Sequence, residues 1–322
     1  MTAPVTTNAP APLGEGTVLR LGTRASQLAR TQSGHVAARL TELTGREVEL
    51  VTISTLGDRS SLPLETIGGT GVFVAALREA LVADEVDLAV HSLKDLPTAP
   101  DERLTVAAVP PREDVRDALV ARDGLTLGEL PTGSRVGTGS PRRAAQINAL
   151  GLGIEIVPIR GNVDTRIGKV ASGEVDAVVL ARAGLLRLER ADEATEVLDP
   201  IQVLPAPGQG ALAVECRSDR PDLVQLLATL DDADTRAAVT AERSLLATLE
   251  AGCTAPVGAL ADIAEGDDGD ELWLRAVVAD PSGSPSIRLS ASGSPADAAA
   301  IGERLATEML AEGADQIVAS EP

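Results

Sequence analysis

Two short apolar runs, VDLAV at 86–90 and VDAVVL at 175–180, constrain this chain more than any other feature. Each reads as a buried strand, and each closes a series in which strands alternate with segments of helical period. The first series runs from a strand at Val18–Thr23 through a helix opened by Ser26 and ending near Leu43. It continues with a strand at Val48–Ser54 and a helix at Gly71–Val82, and reaches the run at Val86–Val90. The second has a strand at Ser134–Thr138, then Ser140 as a helix cap with Pro141 in the first helical position. A strand at Ile154–Ile159, a helix at Val163–Ala171 and the run at Val175–Leu180 complete it. Such alternation calls for a mostly parallel α/β sheet, and here it calls for two. The turns GTRAS at Gly22 and GTGS at Gly137 pair up between the series, but the spacings differ. The expectation is therefore two similar α/β domains, not a tandem repeat.

The rest of the chain fits around that pair. PPRED at 110–114 leaves the first domain, and LPAPGQGA at 204–211 leads back. Two crossings between two α/β lobes suit a ligand cleft that can flex. After Asp231 the composition shifts to a helix reaching about Glu250, a Gly/Pro loop at Cys253, strands near Leu272–Val278 and Ser286–Ser290, and a last helix from Ala296 to about Ala311. At 322 residues one ordinary core is too little. The expected division is a disordered tail at 1–16, an α/β domain of 17–112 with 211–231, an α/β domain of 113–204, a hinge at 205–210, and an α+β domain of 232–322.

Charge and composition exclude several functions. One Trp, one Phe and no Tyr leave the cores to Ala, Val, Leu and Ile, and provide no stacking platform for single-stranded nucleic acid. A net charge of −20 repels a phosphate backbone. Within that acidic chain, residues 135–190 hold eight Arg and one Lys against five acids, whereas 231–322 hold five Arg against eighteen acids. Arginine concentrated in one segment suits a small anion. Two cysteines, Cys216 and Cys253, are too few for a disulfide framework or a structural zinc site, and no metal is expected. The first residues have neither the basic nor the apolar part of a signal peptide, and no apolar run reaches membrane-spanning length, so a cytoplasmic protein is expected.

Candidate chemistry collects at strand exits, where open α/β sheets place their ligands. In AVHSLKDLPT, His91, Ser92, Lys94 and Asp95 follow the first buried run directly. Asp95 could steady a developing cation or hand over a proton, or it could merely bond its own turn. At GTRAS and GTGSPRR, helix N-termini flanked by Arg24 and Ser26, and by Thr138, Ser140, Arg142 and Arg143, would attract carboxylates. RGNVDTR adds Arg160 and Arg166, and Arg187 follows one α/β step later. None of these segments has the spacing of a P-loop or a dinucleotide fingerprint, so the anion is not expected to be a nucleotide. Cys216 reads as a small core residue in an alternating strand. Cys253 sits on a loop in EAGCTAPVG, presented by glycine and proline, with no neighbouring histidine to make a protease-like dyad. His91 reads equally well as a packed strand-end residue or a functional one.

Six ordered segments, GTRASQLA, HSLKDLP, GTGSPRR, RGNVDTR, LPAPGQGA and EAGCTAPVG, resemble the porphobilinogen deaminase (hydroxymethylbilane synthase) family from about Val18 to the C-terminus. The resemblance implies two lobes like type II periplasmic binding proteins plus a third domain. It implies condensation of four porphobilinogen molecules head to tail, with ammonia released, to linear hydroxymethylbilane. It further implies a dipyrromethane cofactor joined by a thioether to the residue matching Cys253, with Asp95 as the catalytic acid. By the same resemblance Ser92, Lys94, Asp95, Thr138, Ser140, Arg142 and Arg143 would hold the cofactor, and Arg24, Ser26, Arg160, Asn162, Arg166 and Arg187 the substrate. Thr70 and Phe73 would belong to a lid, where Thr70 replaces the family's usual lysine. Ala251 replaces a usual glycine and Pro141 a usual apolar residue. A monomer without nucleic-acid or membrane partners is expected. Two rivals stand beside this reading: a non-catalytic two-lobed binding protein for a small carboxylate, and a cysteine-nucleophile acyltransferase.

Overall fold

The computed structural model describes residues 14, 16–54, 71–251, 255–266 and 269–318, with the side chains of 71–73 outside that set. The expected tail (save residues 14 and 16), Thr70, Cys253 and the Phe73 side chain thus lie outside the described residues.

The first lobe contains β1 (Leu19–Arg24), α1 (Gln27–Thr44), β2 (Val48–Ile53), α2 (Gly71–Val82), β3 (Leu88–Ser92) and β4 (Leu104–Ala108). The second contains β5 (Asp117–Ala121), β6 (Arg135–Thr138), α3 (Pro141–Ala149), β7 (Glu155–Pro158), α4 (Val163–Ala171), β8 (Ala177–Ala181), α5 (Arg182–Arg187) and the short β9 (Glu196–Val197). The chain then returns to the first lobe as β10 (Leu212–Arg217) and α6 (Pro221–Leu227). A third unit follows: α7 (Ala233–Thr248), β11 (Val257–Gly266), β12 (Gly269–Ala279), β13 (Ser286–Gly293), α8 (Ala298–Ala311) and α9 (Ala314–Val318).

The two five-stranded sheets share one plan. Their strand orders are β2-β1-β3-β10-β4 and β7-β6-β8-β5-β9. In each, three strands are parallel and the fourth runs against its neighbours. That antiparallel strand, β10 or β5, is the one entered directly from a crossing between lobes. Neither sheet closes until the chain has crossed. The crossings themselves touch: Gly210 has φ +85°, and a Cβ there would lie 2.4 Å from the Glu113 carbonyl oxygen. Only glycine permits that approach.

Each unit has its own apolar core among the described residues, built almost wholly from Leu, Val, Ile and Ala. Leu19, Leu21, Leu40, Leu88 and Val214 fill the first, and Leu119, Val136, Ile147, Val179 and Leu198 the second. In the third, α7 and α8 cover one face of the antiparallel β11-β12-β13 sheet through Leu245, Leu272, Leu274, Ile301 and Leu305. Each fully buried leucine or valine contributes about 1.5–3 kcal/mol of transfer free energy. Cys216 belongs to the first core, and burial, followed by the charge of Glu215, pushes its thiol up to about 12. The third unit packs on both lobes. Val239 of α7 joins Leu93, Leu96 and Val109, and Leu260 and Val277 join Ala145 and Leu204. This is the expected architecture of two like α/β lobes with a small α+β unit.

Two differences from the sequence reading concern the site. The strand read as ending at Val90 continues through His91 and Ser92, because β10 goes on pairing with it at Ala213 and Leu212. The strand β11, not expected from its Gly- and Ala-rich sequence, pairs with β12 over ten positions.

Candidate active site

Register puts the strand exits side by side. Parallel pairing of β1 with β3 places Arg24 and Ser92 at the same edge of the first sheet. Pairing of Thr138 with Pro158, and of Gly137 with Val178, aligns the exits of β6, β7 and β8 in the second. Helices α3 and α4 then begin with side-chain caps. The Ser140 hydroxyl accepts from the Arg143 N–H at 3.5 Å, and the Asn162 carbonyl oxygen accepts from the Thr165 N–H at 2.9 Å. At the matching exit of the first lobe, Ser26 accepts from the Ala29 N–H at 3.4 Å. The N-terminal turn of α1 meets α5 across the lobes, with Leu28 lying 3.6 Å from where a Cβ of Gly184 would stand.

At the exit of β3 the chain makes one short 3-10 turn, Leu93–Asp95. Leu93 and Leu96 are buried beneath it, while Lys94 and Asp95 keep part of their surface open. Lys94 shares a small crevice of about 40 Å³ with Ser140 and Arg142 of the second lobe, Ala206 and Pro207 of the return crossing, and Leu246, Ala255 and Val257 of the third unit. All three units therefore meet at one point. Burial pulls the Lys94 ammonium down to about 8; Arg143 and Arg142 lower it further, and Asp95 and Asp117 oppose them. Beyond this electrostatic coupling to Lys94, the Asp95 carboxylate has no hydrogen-bond partner among the described residues.

Arg142 and Arg143 grip a carboxylate that the sequence reading passed over. Asp117, fully buried at the start of β5, receives Arg142 at 2.8 Å, Arg143 at 2.7 Å and the Gln209 side-chain amide at 2.8 Å. Burial would raise this carboxyl, yet the two guanidinium groups hold it far below the usual carboxylate range. One acid between two cations leaves the group net positive. The Nε–H groups of Arg142 and Arg143 are buried and lack a partner among the described residues. A buried, unpaired donor on a charged group is costly unless a ligand satisfies it. These donors, with Lys94 at the crevice, fit a ligand that brings carboxylates. Ala255, two residues after Cys253 in sequence, lines the same crevice, so a carboxylate-bearing group tethered from that loop fits the residues present.

Of the other expected cations, Arg166 and Arg187 belong to the second lobe. Burial, Arg143 and Arg160 lower Arg166 to about 10, and its Nε–H donates to the Gly161 carbonyl at 2.8 Å. Arg187 donates to the Gly210 carbonyl at 2.6 Å; burial lowers its pKa, against the opposing charge of Glu113. Thr138 accepts from the Ser140 N–H at 3.2 Å, and Ser92 lies 3.4 Å from the Gln32 amide. His91 belongs elsewhere. It is buried 3.2 Å from Glu215, which also takes Arg78 of α2 at 2.8 Å, so it fastens α2 to the sheet.

Two residues on α7 were not anticipated. Glu242, with no exposed surface, takes a forked pair from Arg112 at 2.7 and 3.0 Å and accepts from the N–H groups of Gly208 and Ala261 at 2.6 and 2.9 Å. It thereby joins both crossings to the third unit. Its neighbour Arg243 donates to the carbonyls of Leu96 and Pro97 at 3.0 and 2.7 Å. A charged residue inside the apolar stripe Val239, Leu246, Leu249 was the available signal for Glu242. Among the described residues no group of three or more His, Cys, Asp or Glu is placed to hold a metal ion, and no helix is long and apolar enough to cross a membrane.

Comparison with known proteins places these observations. Residues 19–225 match the family model described as porphobilinogen deaminase, dipyromethane cofactor binding domain, and residues 236–311 match that of the porphobilinogen deaminase C-terminal domain. Curated porphobilinogen deaminases are similar over nearly the whole chain. That of Mycobacteroides abscessus is 60% identical over 306 residues, covering 94% of this chain and 99% of the relative. That of Nocardia farcinica is 59% identical, covering 94% and 88%, and that of Mycobacterium tuberculosis is 60% identical, covering 94% and 98%. Among solved structures, the methionine binding protein MetQ is 14% identical with a TM-score of 0.43, covering 66% of this chain and 89% of that one.

Proposed function

Because the chain belongs to the porphobilinogen deaminase family, we propose that its three units meet around a primer tethered to Cys253 and extended by Asp95. The activity is that of a hydroxymethylbilane synthase, a transferase that condenses four porphobilinogen molecules head to tail with loss of ammonia. The observation that carries the site assignment is the crevice where Lys94, Ser140, Arg142 and Ala255 converge. When bound, the dipyrromethane cofactor supplies the pyrrole end on which the chain is built.

The residues divide the work. Lys94, Arg142 and Arg143 supply positive charge and unsatisfied donors to acetate and propionate groups, while Ser92, Thr138 and Ser140 add hydroxyl and helix-terminus contacts. Arg160, Arg166 and Arg187, with Asn162 at the cap of α4, take the carboxylates of incoming porphobilinogen. Arg24 and Ser26 take them from the first lobe. Asp95, with its carboxylate not engaged in any hydrogen bond within the described chain, is available to accept from pyrrole N–H groups. As the carboxylic acid it gives its proton to the amine as the C–N bond breaks and ammonia leaves, and the carboxylate so formed stabilises the cation left behind. The domain limits given above, action as a monomer, and a cytoplasmic setting belong to this proposal. A plain two-lobed binding protein would explain the arginines but not a tether in a third unit.

Intact mass tests the reading. The isolated protein should carry added mass that reacts with Ehrlich's reagent to give the pink of a pyrrole, and Cys253→Ala should lack both. Active protein with no such adduct on Cys253 would sink the proposal.

A further inference from the structure

We infer that Arg243 is a positioning residue for Asp95, through which the third unit sets the rate of reaction at the first lobe's strand exit. The inference rests on the catalytic reading of Asp95 and adds to it a residue that touches neither substrate nor cofactor.

The turn that carries Asp95 has few restraints of its own. Within it the Leu96 N–H donates to the Leu93 carbonyl at 3.1 Å, and the Leu93 N–H reaches Ala211 at 3.0 Å. A single 3-10 turn is a weak unit, and Pro97 brings no N–H to extend it. Leu93 and Leu96 pin its apolar side against Val239. Among the described residues, the side chain that holds its carbonyls is that of Arg243. One guanidinium nitrogen donates to Leu96 at 3.0 Å and, more weakly, to Leu93 at 3.4 Å, while the other donates to Pro97 at 2.7 Å. The planar fork thus spans both ends of the turn, a geometry that lysine cannot copy.

Packing does not supply the same restraint. Beside the fork lies a cavity of about 290 Å³ bounded by Leu93, Thr98, Val109, Val239 and Arg243. Where protein atoms do not back the turn, the fork does. Asp95, whose carboxylate makes no hydrogen bond within the described residues, inherits its position from this backbone. Arg243 also stands on the helix that leads to Cys253, ten residues before it. One rigid element therefore places the acid in the same frame as the chain that carries the tether.

The test compares Arg243→Ala, Arg243→Lys, Asp95→Asn and the Asp95→Asn/Arg243→Ala double variant, each as cofactor-loaded enzyme verified by intact mass. Arg243→Ala should lower kcat by about 10- to 100-fold, the scale of a misplaced catalytic group. KM should stay within about threefold, because the substrate's carboxylates are held by other arginines. Arg243→Lys should fall between, and it carries the same comparison if the alanine variant does not fold. On an Asp95→Asn background the second substitution should cost less than about twofold, since a residue acting through Asp95 has nothing left to position. Near-normal kcat in Arg243→Ala beside an inactive Asp95→Asn would overturn this inference alone, as would full multiplication of the two losses. Near-normal turnover in Asp95→Asn would overturn the role of Asp95 and this inference with it.

Discussion

Asp95 and Asp117 lie at the strand-exit edges of the two sheets, one just past β3 and one at the entry of β5 beside the end of β8, and they have opposite surroundings. Asp117 is fully buried, takes two guanidinium groups and an amide, and is held far below the ordinary carboxylate range. Asp95 keeps open surface and no hydrogen bond among the described residues, with Lys94 as its electrostatic neighbour. A carboxylate already satisfied by its own fold has nothing to give a substrate, so Asp117 builds the cationic floor. A carboxylate left unsatisfied beside that floor is where a cation can form. On the proposed reading, the second lobe uses its acid for structure and the first keeps its acid for reaction.

The sharpest way to break this contrast is to neutralise each acid in turn. Asp117→Asn should leave two buried guanidinium groups facing Lys94 without a counter-charge, costing about 3–5 kcal/mol. Thermal unfolding should reveal that loss directly, and cofactor loading should fail with it. Asp95→Asn should leave the unfolding midpoint almost unchanged, because no hydrogen bond is lost, while ammonia release falls by about 100- to 1000-fold. If Asp117→Asn folds normally, or Asp95→Asn melts early, the two acids do not differ as described.

A smaller effect follows from Lys94, which feels the charge of both acids. Its folded value of about 8 lies below the ordinary lysine value of 10.5, with burial the main cause. Between those values the unfolded chain holds more protons, so this residue alone makes the cofactor-free protein more stable as pH rises through that window. A carboxylate ligand has the opposite preference and favours the ammonium. Cofactor loading above pH 8 should therefore take up a proton and weaken by up to about tenfold per pH unit. Lys94→Arg, which stays charged, should load with a flat profile across pH 7.5–9.5. An equally steep profile in that variant would remove Lys94 from the cofactor site.

What could be read from the sequence follows the range of the forces involved. The strand exits, the capping serines and proline at the start of α3, and the arginine-rich second lobe are local patterns, and all were legible. Asp117 was not, because its partners Arg142 and Gln209 stand 25 and 92 residues away. An acid opening the all-buried run DALVA was the trace it left. His91 was ambiguous for the same reason: its partner Glu215 arrives only after the chain has visited the other lobe. The strand β11 was missed because glycine and alanine carry little strand propensity, and ten paired positions with β12 override that weakness. The position of Arg243 over the Asp95 turn depends on the third unit docking on the first, which no local pattern encodes.

The smallest expected difference lies between the two capping serines, the same device used in both lobes. Ser26 and Ser140 each accept one backbone N–H at a long distance, 3.4 and 3.5 Å, so Ser→Ala at either should cost about 0.5–1 kcal/mol, the low end for a lost cap. Stability alone cannot separate them. Ser140 also lines the crevice with Lys94 and Arg142, whereas Ser26 caps α1 in the first lobe, where the proposed function puts substrate. Ser140→Ala should therefore slow cofactor loading severalfold with KM for porphobilinogen little changed, and Ser26→Ala should raise KM with loading untouched. Glycine tells cap from ligand contact, because it restores most of a cap's stability without restoring a hydroxyl. If Ser140→Gly recovers both stability and loading, the hydroxyl at Ser140 serves only the helix, and the cofactor is held there by charge.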